Sequence, residues 1–330
     1  MSAYRTAEDF FSALQTAAPA PYPDPIRSPR LTSTRARPGT YSIVARDPVT
    51  GELGVAVQSH WFSVGPIVPW ARAGVGAVAT QASVEVAYGP RALDLLAGGR
   101  DAHGALERLV AADSGRANRQ VAILDAKGHV AAHTGESCMP FAGHCTGDGV
   151  SCQANIMASE KVWPAMLEAF SSAEGSLTVR LLAALDAAEA EGGDIRGRQS
   201  AAILVVPAAG NPWDTVISLR VEDDPDPLRE LARLVRLHDA YVLAGEGDEG
   251  VAQGRHDEAA SLYLRASQLA PESAELRFWA GLGAAQMGDL DAGVRDVQAA
   301  IAIHAGWLDL LARLPSDVAP AGATVLRRLT

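Results

Sequence analysis

Thr40 is the residue whose surroundings most invite chemistry. It follows Pro38-Gly39 and opens the β-branched run TYSIVAR. A threonine hydroxyl is a weak nucleophile without a base beside it, and one solution is to make Thr the chain terminus, so that its own α-amine, with a pKa of about 8, takes the proton. The bond before it must then be cut, and a preceding glycine gives the backbone freedom to adopt the geometry of that cut. A Gly-Thr pair is also an ordinary way to begin a strand, and on local sequence alone that structural reading is the favoured one.

Other polar residues fall at the ends of expected strands. Ser59 and His60 follow LGVAV, Thr80 and Gln81 end GVGAVAT, and Asn155 ends SCQAN. Acyl transfer needs donors aimed at a tetrahedral oxyanion, and Gln81 and Asn155 are the candidates for that role. Ser59 and His60 are candidates for substrate contact. The structural alternatives are turn and cap roles for Ser and Gln, and a packed, hydrogen-bonded imidazole for His60.

The segment Asp194-Ile-Arg-Gly-Arg-Gln-Ser200 places two arginines before an apolar strand. Arg198, with Gln199 and Ser200 beside it, could bind a substrate carboxylate bidentately, which points to an acidic amide. An ion pair to Asp194 is the other use for these arginines, and is the expected one for Arg196. Arg72 could supply positive charge that lowers the pKa of an attacking group. Cys138, Cys145 and Cys152 are evenly spaced with His133 and His144 nearby, but no pair has the close spacing of a zinc site, so free thiols are expected and no metal. Phosphate-loop, dinucleotide and zincin motifs are absent from the sequence, and no cofactor is expected.

These residues need strands to hold them. TYSIVAR, the turn DPVTGE and LGVAVQS read as a hairpin. GVGAVATQAS reads as a strand buried on both faces. YGPRALDLLAGG and DAHGALERLVAAD read as helices, and RQVAILDAKGHVAAHTG as a second hairpin. WPAMLEAFSSA and LTVRLLAALDAAEAEGG are two further helices, followed by strands in SAAILVV and WDTVISLRVE. Strands and helix pairs arriving in blocks indicate an α+β layered architecture. Before Thr40, a short amphipathic helix after Thr6 leads into the prolines 19, 21, 23, 25, 29 and 38, which read as a linker or leader. Acidic DDPDPL, residues 223–228, reads as a hinge to a helical tail. There Gly254-Arg-His-Asp and Gly288-Asp-Leu-Asp recur at the tetratricopeptide period of 34 residues. Ala259, Tyr263, Ala266 and Pro271 match that motif, whereas Gly293, Val297, Ala300 and Ala305 are a degenerate copy.

Composition narrows the partners. The formal charge of −11 argues against nucleic acid or an anionic membrane, both of which demand a positive face. With 48% hydrophobic and 20% charged residues the chain can form a packed core. No signal peptide or membrane-length apolar run is visible, and three cysteines suit a reducing compartment, so a cytoplasmic location is expected.

TYSIVARDPVTGELGVAV, PWARAGVGAVATQA, YGPRALDLLAGG, GRANRQVAILDAKGHVAAHTG and GRQSAAILVV together resemble the bacterial domain of unknown function 1028 family, across Thr40 to Glu222. Residues 228 to 314, including AELRFWAGL, resemble that family's C-terminal extension. The family is placed among the N-terminal-nucleophile (Ntn) hydrolases. The resemblance therefore implies a four-layer αββα sandwich over residues 40–222, followed by a tetratricopeptide-like region over 228–330. It also implies an amidohydrolase acting on a small substrate, with Thr40 as nucleophile. Many members begin Met-Thr, where methionine removal frees the threonine. Here residues 1–39 intervene, so either Gly39-Thr40 is cleaved, or the leader covers the site as in a zymogen, or Thr40 stays internal. In the last case the alternative is a catalytically silent binding scaffold whose helical tail binds a protein partner. A homo-oligomer is expected, because Ntn domains pair through their helical layers and two repeats are few to stand alone.

Overall fold

The computed structural model describes residues 39–330. The helix expected after Thr6 lies outside the described residues. Ten strands and ten α-helices follow, in the block order expected from the sequence.

Four strands come first: β1 (Thr40–Arg46), β2 (Leu53–Ser59), β3 (Pro69–Arg72) and β4 (Gly76–Ala82). The β1–β2 turn closes because the Asp47 carboxylate accepts the backbone N–H groups of Val49 and Thr50, each at 2.8 Å, as an Asx turn does. Helices α1 (Tyr88–Ala97) and α2 (Ala102–Ala111) are next, α2 being capped by Asp101, which accepts the Gly104 amide at 2.8 Å. Then come β5 (Arg119–Asp125), β6 (Val130–Thr134), β7 (Gly143–Gly147) and β8 (Val150–Asn155). Helices α3 (Val162–Ser172) and α4 (Leu177–Ala190) precede β9 (Ser200–Val206) and β10 (Ile217–Val221). The chain ends in α5 (Pro227–Ala252), α6 (His256–Leu269), α7 (Ala274–Gln286), α8 (Leu290–Ile303), α9 (Gly306–Leu311) and α10 (Gly322–Leu329).

The strands form two antiparallel sheets, ordered β10-β9-β2-β1-β8-β7 and β3-β4-β5-β6. Side chains alternate across a strand, and here each sheet is buried on both faces. Val44, Leu53, Val55 and Val57 of the larger sheet meet Ala77, Ala79, Ala122 and Leu124 of the smaller one in an apolar layer between them. The opposite face of the larger sheet, with Tyr41, Ile43, Cys152 and Ile203, packs under α3, α4 and the start of α5. The opposite face of the smaller sheet, with Val78, Val121 and Ile123, packs under α1 and α2.

Alternation decides which polar residues enter the layer between the sheets. Thr40 and Ser42 share a face with Val44, Ser59 with Val57, Gln81 with Ala79, and Gln120 with Ala122. All are buried, so one end of that layer is polar and the rest apolar. Thr80 has the opposite parity and its hydroxyl donates to the Glu85 carbonyl at 3.2 Å.

DDPDPL does not separate two bodies of structure. Pro227 starts α5, whose first turns bury Leu228, Leu231 and Val235 in the core of the larger sheet, while Ala240 and Ala244 further along join a second core with Ala259, Tyr263, Ala266 and Leu276. The positions that repeat at 34 residues, Ala259 and Gly293, Tyr263 and Val297, Ala266 and Ala300, are all buried. Helices α7 and α8 pass close to one another at Gly281 and Gly293, where a Cβ on either would lie 2.5–2.8 Å from the other's carbonyl oxygen.

Candidate active site

Register places Thr40 between two other candidates. It pairs with Ser59 of β2 on one side and with Asn155 of β8 on the other, and all three are essentially without solvent contact. Thr40 Oγ1 lies 3.0 Å from Ser59 Oγ, and Ser59 Oγ donates a short hydrogen bond to the carbonyl oxygen of Gly39. A hydroxyl has one proton, so Ser59 gives its own to Gly39 and accepts that of Thr40.

A second donor reaches the same carbonyl. Arg196 Nη2 is 2.9 Å from Gly39 O, and the guanidinium is clamped by Asp194 through Nε to Oδ1 at 3.0 Å and Nη2 to Oδ2 at 2.7 Å. Asp194 is itself fixed by the backbone N–H groups of Arg196 (3.0 Å) and His60 (3.2 Å). The expected Asp194–Arg196 pair is therefore present, and it also carries a charged donor to the bond that precedes Thr40.

The carbonyl of Thr40 is held from both sheets, by Gln81 of the smaller one and by Asn155 of the neighbouring strand β8. Gln81 Nε2 (3.2 Å) and Asn155 Nδ2 (3.4 Å) both donate to it. Both amides also donate to Gln120 Oε1, at 2.8 and 2.9 Å, so Gln120 sets their orientation. Gln120 Nε2 in turn donates to Thr134 Oγ1 (2.9 Å), Ala154 O (2.9 Å) and Gly143 O (3.1 Å). Thr134 Oγ1 sits 2.9 Å from Nδ1 of His144, an imidazole whose pKa burial, aided by nearby His133, holds below its ordinary value.

A further chain fixes Gln81. Ser151 Oγ donates to Gln153 Oε1 (2.8 Å), Gln153 Nε2 to Ser42 Oγ (2.6 Å), and Ser42 Oγ to Gln81 Oε1 (2.6 Å). Each donor in this series finds an acceptor, as buried polar groups must, so the amide orientations follow from the network. Both strands that supply the amides end at once: Ala82 after Gln81 has φ of 66°, and Ile156 after Asn155 has φ of 60°. A non-glycine residue in that region costs on the order of 1 kcal/mol, and such residues gather at functional sites.

The structure thus brings Thr40, Ser59, Gln81 and Asn155 together, and places His60 beside them through its backbone bond to Asp194, with the ring turned to Arg198 O at 3.3 Å. Ser200 stands opposite Ser59 on β9, on the same face, whereas Arg72, Arg198 and Gln199 turn their side chains elsewhere. Arg72 pairs with exposed Asp94 at 2.9 Å, opposite Gly76 at the far end of β4, about 16 Å of strand from Gln81. Arg198 bridges Glu189 (3.0 Å) and Asp226 (2.8 Å), and Glu189 is held by the Tyr41 hydroxyl (2.5 Å), so the guanidinium lies on the helix side of the larger sheet. Gln199 donates to Asp223 at 3.0 Å, and Ser200 ties the loop after β2 through Trp61 O (2.6 Å) and the Val64 amide (3.1 Å).

Sequence reasoning missed Gln120, Ser42 and Gln153, although the same strand parity that turns Gln81 and Asn155 inward applies to them. Among the described residues no carboxylate, imidazole or amine hydrogen-bonds Thr40 Oγ1, and no group of three His, Cys, Asp or Glu could hold a metal ion. Nor is any described helix long and apolar enough to cross a membrane.

Apart from Gly39, this constellation lies within residues 40–231, which match the family described as "Family of unknown function (DUF1028)". A similar solved structure is that of protein SPO2555 from Silicibacter pomeroyi, assigned to the same family. It is 34% identical with a TM-score of 0.55, over 60% of this chain and 88% of that one. No curated protein matches. With more than half its length matched, the chain belongs to the DUF1028 family, whose function is unknown.

Proposed function

We propose that the protein is an Ntn-type amidohydrolase, with Thr40 as nucleophile once its α-amine is released. The observation that carries this is the pair of donors, Ser59 Oγ and Arg196 Nη2, on the carbonyl of Gly39, with Thr40 Oγ1 alongside. Attack of Thr40 Oγ1 on the Gly39 carbonyl carbon forms a tetrahedral oxyanion on that oxygen, where the two donors lie. Breaking the C–N bond sends the electron pair to nitrogen, which takes up the proton given up by the Thr40 hydroxyl and becomes the α-amine, and water then hydrolyses the Gly39 ester to a carboxylic acid and the free hydroxyl. The freed amine supplies a base that no described residue offers to Thr40 Oγ1.

The helices, sheet, sheet, helices order supports an Ntn-like αββα sandwich, and the buried positions at a 34-residue spacing support a tetratricopeptide-like tail. The substrate is a small molecule with a C–N amide bond. The case for an acidic one rested on Arg198, which Glu189 and Asp226 already neutralise. We infer a homo-oligomer in solution, so light scattering should give a multiple of the protomer mass, which is 34.4 kDa for the uncut chain, and a single-protomer mass would contradict it.

One observation favours the rival reading of a silent binding scaffold whose tail docks a partner: with Gly39 attached, the Thr40 hydroxyl meets only another hydroxyl among the described residues. A panel of small amides separates the two. Hydrolysis that disappears in Thr40→Ala and persists in Thr40→Ser supports the enzyme; equal turnover by wild type and Thr40→Ala overturns it.

A further inference from the structure

We propose that Cys145 and Cys152 form a reversible dithiol–disulfide couple that locks the edge of the six-stranded sheet. They stand directly opposite one another on β7 and β8. Both face the helix layer, Cys152 fully buried in the core under α3 and half-buried Cys145 packed against the same core. Opposed residues on antiparallel neighbours have Cα atoms about 4.5–5.5 Å apart, within the span of a disulfide. Cys152 is the cross-strand neighbour of Cys145, whose thiol donates to the Trp163 carbonyl at 3.1 Å. A hydrogen bond from Cys152 holds the Cys145 thiol below its ordinary pKa despite partial burial, whereas burial pushes the Cys152 thiol up.

That asymmetry assigns the roles. Cys145, the more accessible and more acidic thiol, is the attacking group, and Cys152 resolves. With a peroxide as oxidant, the Cys145 thiolate attacks one oxygen, an S–O bond forms, the O–O bond breaks, and the departing hydroxide takes a proton to leave as water. The Cys152 sulfur then displaces the hydroxyl from the sulfenic acid, an S–S bond forms, and a second water leaves with the remaining proton. The two sulfurs lose two electrons and the peroxide gains them.

The lock lies on the strand that steadies Gln120. β7 is the sheet edge, and it provides Gly143 O to Gln120 Nε2 and His144 to Thr134, the next partner of the same amide. A covalent tie between β7 and β8 fixes the register of those contacts, and does so whether or not Thr40 is catalytic.

The test uses the reduced full-length protein, hydrogen peroxide, and peptide mapping without reductant. The expected product is a Cys145–Cys152 linkage with the loss of two hydrogens, reversed by a thiol reductant and raising the melting temperature by about 5 °C. Cys138→Ser should behave as wild type, and Cys145→Ser and Cys152→Ala should each lose both the linkage and the shift. Sulfinic acid on Cys145 with Cys152 unmodified, a linkage through Cys138, or a linked chain with unchanged melting overturns the proposal. The wild-type map decides even if a variant fails to fold.

Discussion

The carboxylate of Asp194 fills the space that a side chain on Gly39 would need: a Cβ there would lie 2.6–2.8 Å from Oδ2, Cγ and Oδ1. Asp194 cannot step aside freely, since it holds Arg196 and the His60 amide. Gly39→Ala is therefore expected to push Arg196 off the Gly39 carbonyl. We predict a stability loss of about 1–3 kcal/mol in urea unfolding and slower release of the Thr40 amine by roughly 100-fold. Wild-type values for both would show that the clamp has no such role.

Gln120 is the acceptor on which two buried amides depend. Gln120→Ala leaves one hydrogen of Gln81 Nε2 and one of Asn155 Nδ2 without that acceptor, which is expected to cost about 2–4 kcal/mol. Gln199→Ala removes only an exposed bond to Asp223 and should stay within about 0.5 kcal/mol of wild type. Equal losses in the two variants, measured by chemical denaturation, would contradict the network.

Acid should weaken the fold from a definite side. Burial raises the Asp113 pKa, but the Arg119 guanidinium, the Gly115 amide and the Tyr88 hydroxyl more than offset it, and Asp47 and Asp125 are likewise held below the ordinary carboxylate value. A carboxylate depressed on folding stabilises above its unfolded pKa, and that stability is lost as pH falls through the folded one. The contribution of these three carboxylates to unfolding free energy should therefore be steady above about pH 5 and fall below it, with a shallower fall in Asp113→Asn. Identical slopes in variant and wild type would rule Asp113 out as a contributor.

The start of α5 belongs to the sandwich. Removing residues 254–330 leaves Leu228, Leu231 and Val235 in the main core, whereas removing 223–330 strips them out. Their burial stabilises by about 5 kcal/mol or more in sum. The shorter deletion should retain a cooperative transition and the longer one lose it; equal behaviour would place the boundary before α5.

Much of this fold is legible in the sequence where local chemistry and burial agree. DPVTGE forces the first hairpin, Asp101 caps α2, and the turn Asp125-Ala-Lys-Gly128 joins RQVAILD to VAAHT in the second hairpin. β7 was not legible: GHCTG is polar and glycine-bounded because it is an edge strand with little to bury, and only Asp148-Gly149 at its turn hints at the return into β8. DDPDPL misleads because Pro227 serves as the first residue of a long helix as readily as a hinge. Thr40, Ser59, Gln81 and Asn155 were found as polar residues at strand ends. Arg198 and Arg72 lie elsewhere, since spacing along the chain does not say which face of a sheet a loop arginine will reach.

The central claim is that the bond before Thr40 is cut by the residues around it. The most direct test is the intact mass and N-terminal sequence of the purified full-length protein after prolonged incubation at neutral pH, beside Thr40→Ala. The account predicts a species beginning at Thr40 in the wild type and an uncut chain in the variant. A wild-type chain that keeps Gly39 joined to Thr40, or a variant cut at the same bond, would contradict it.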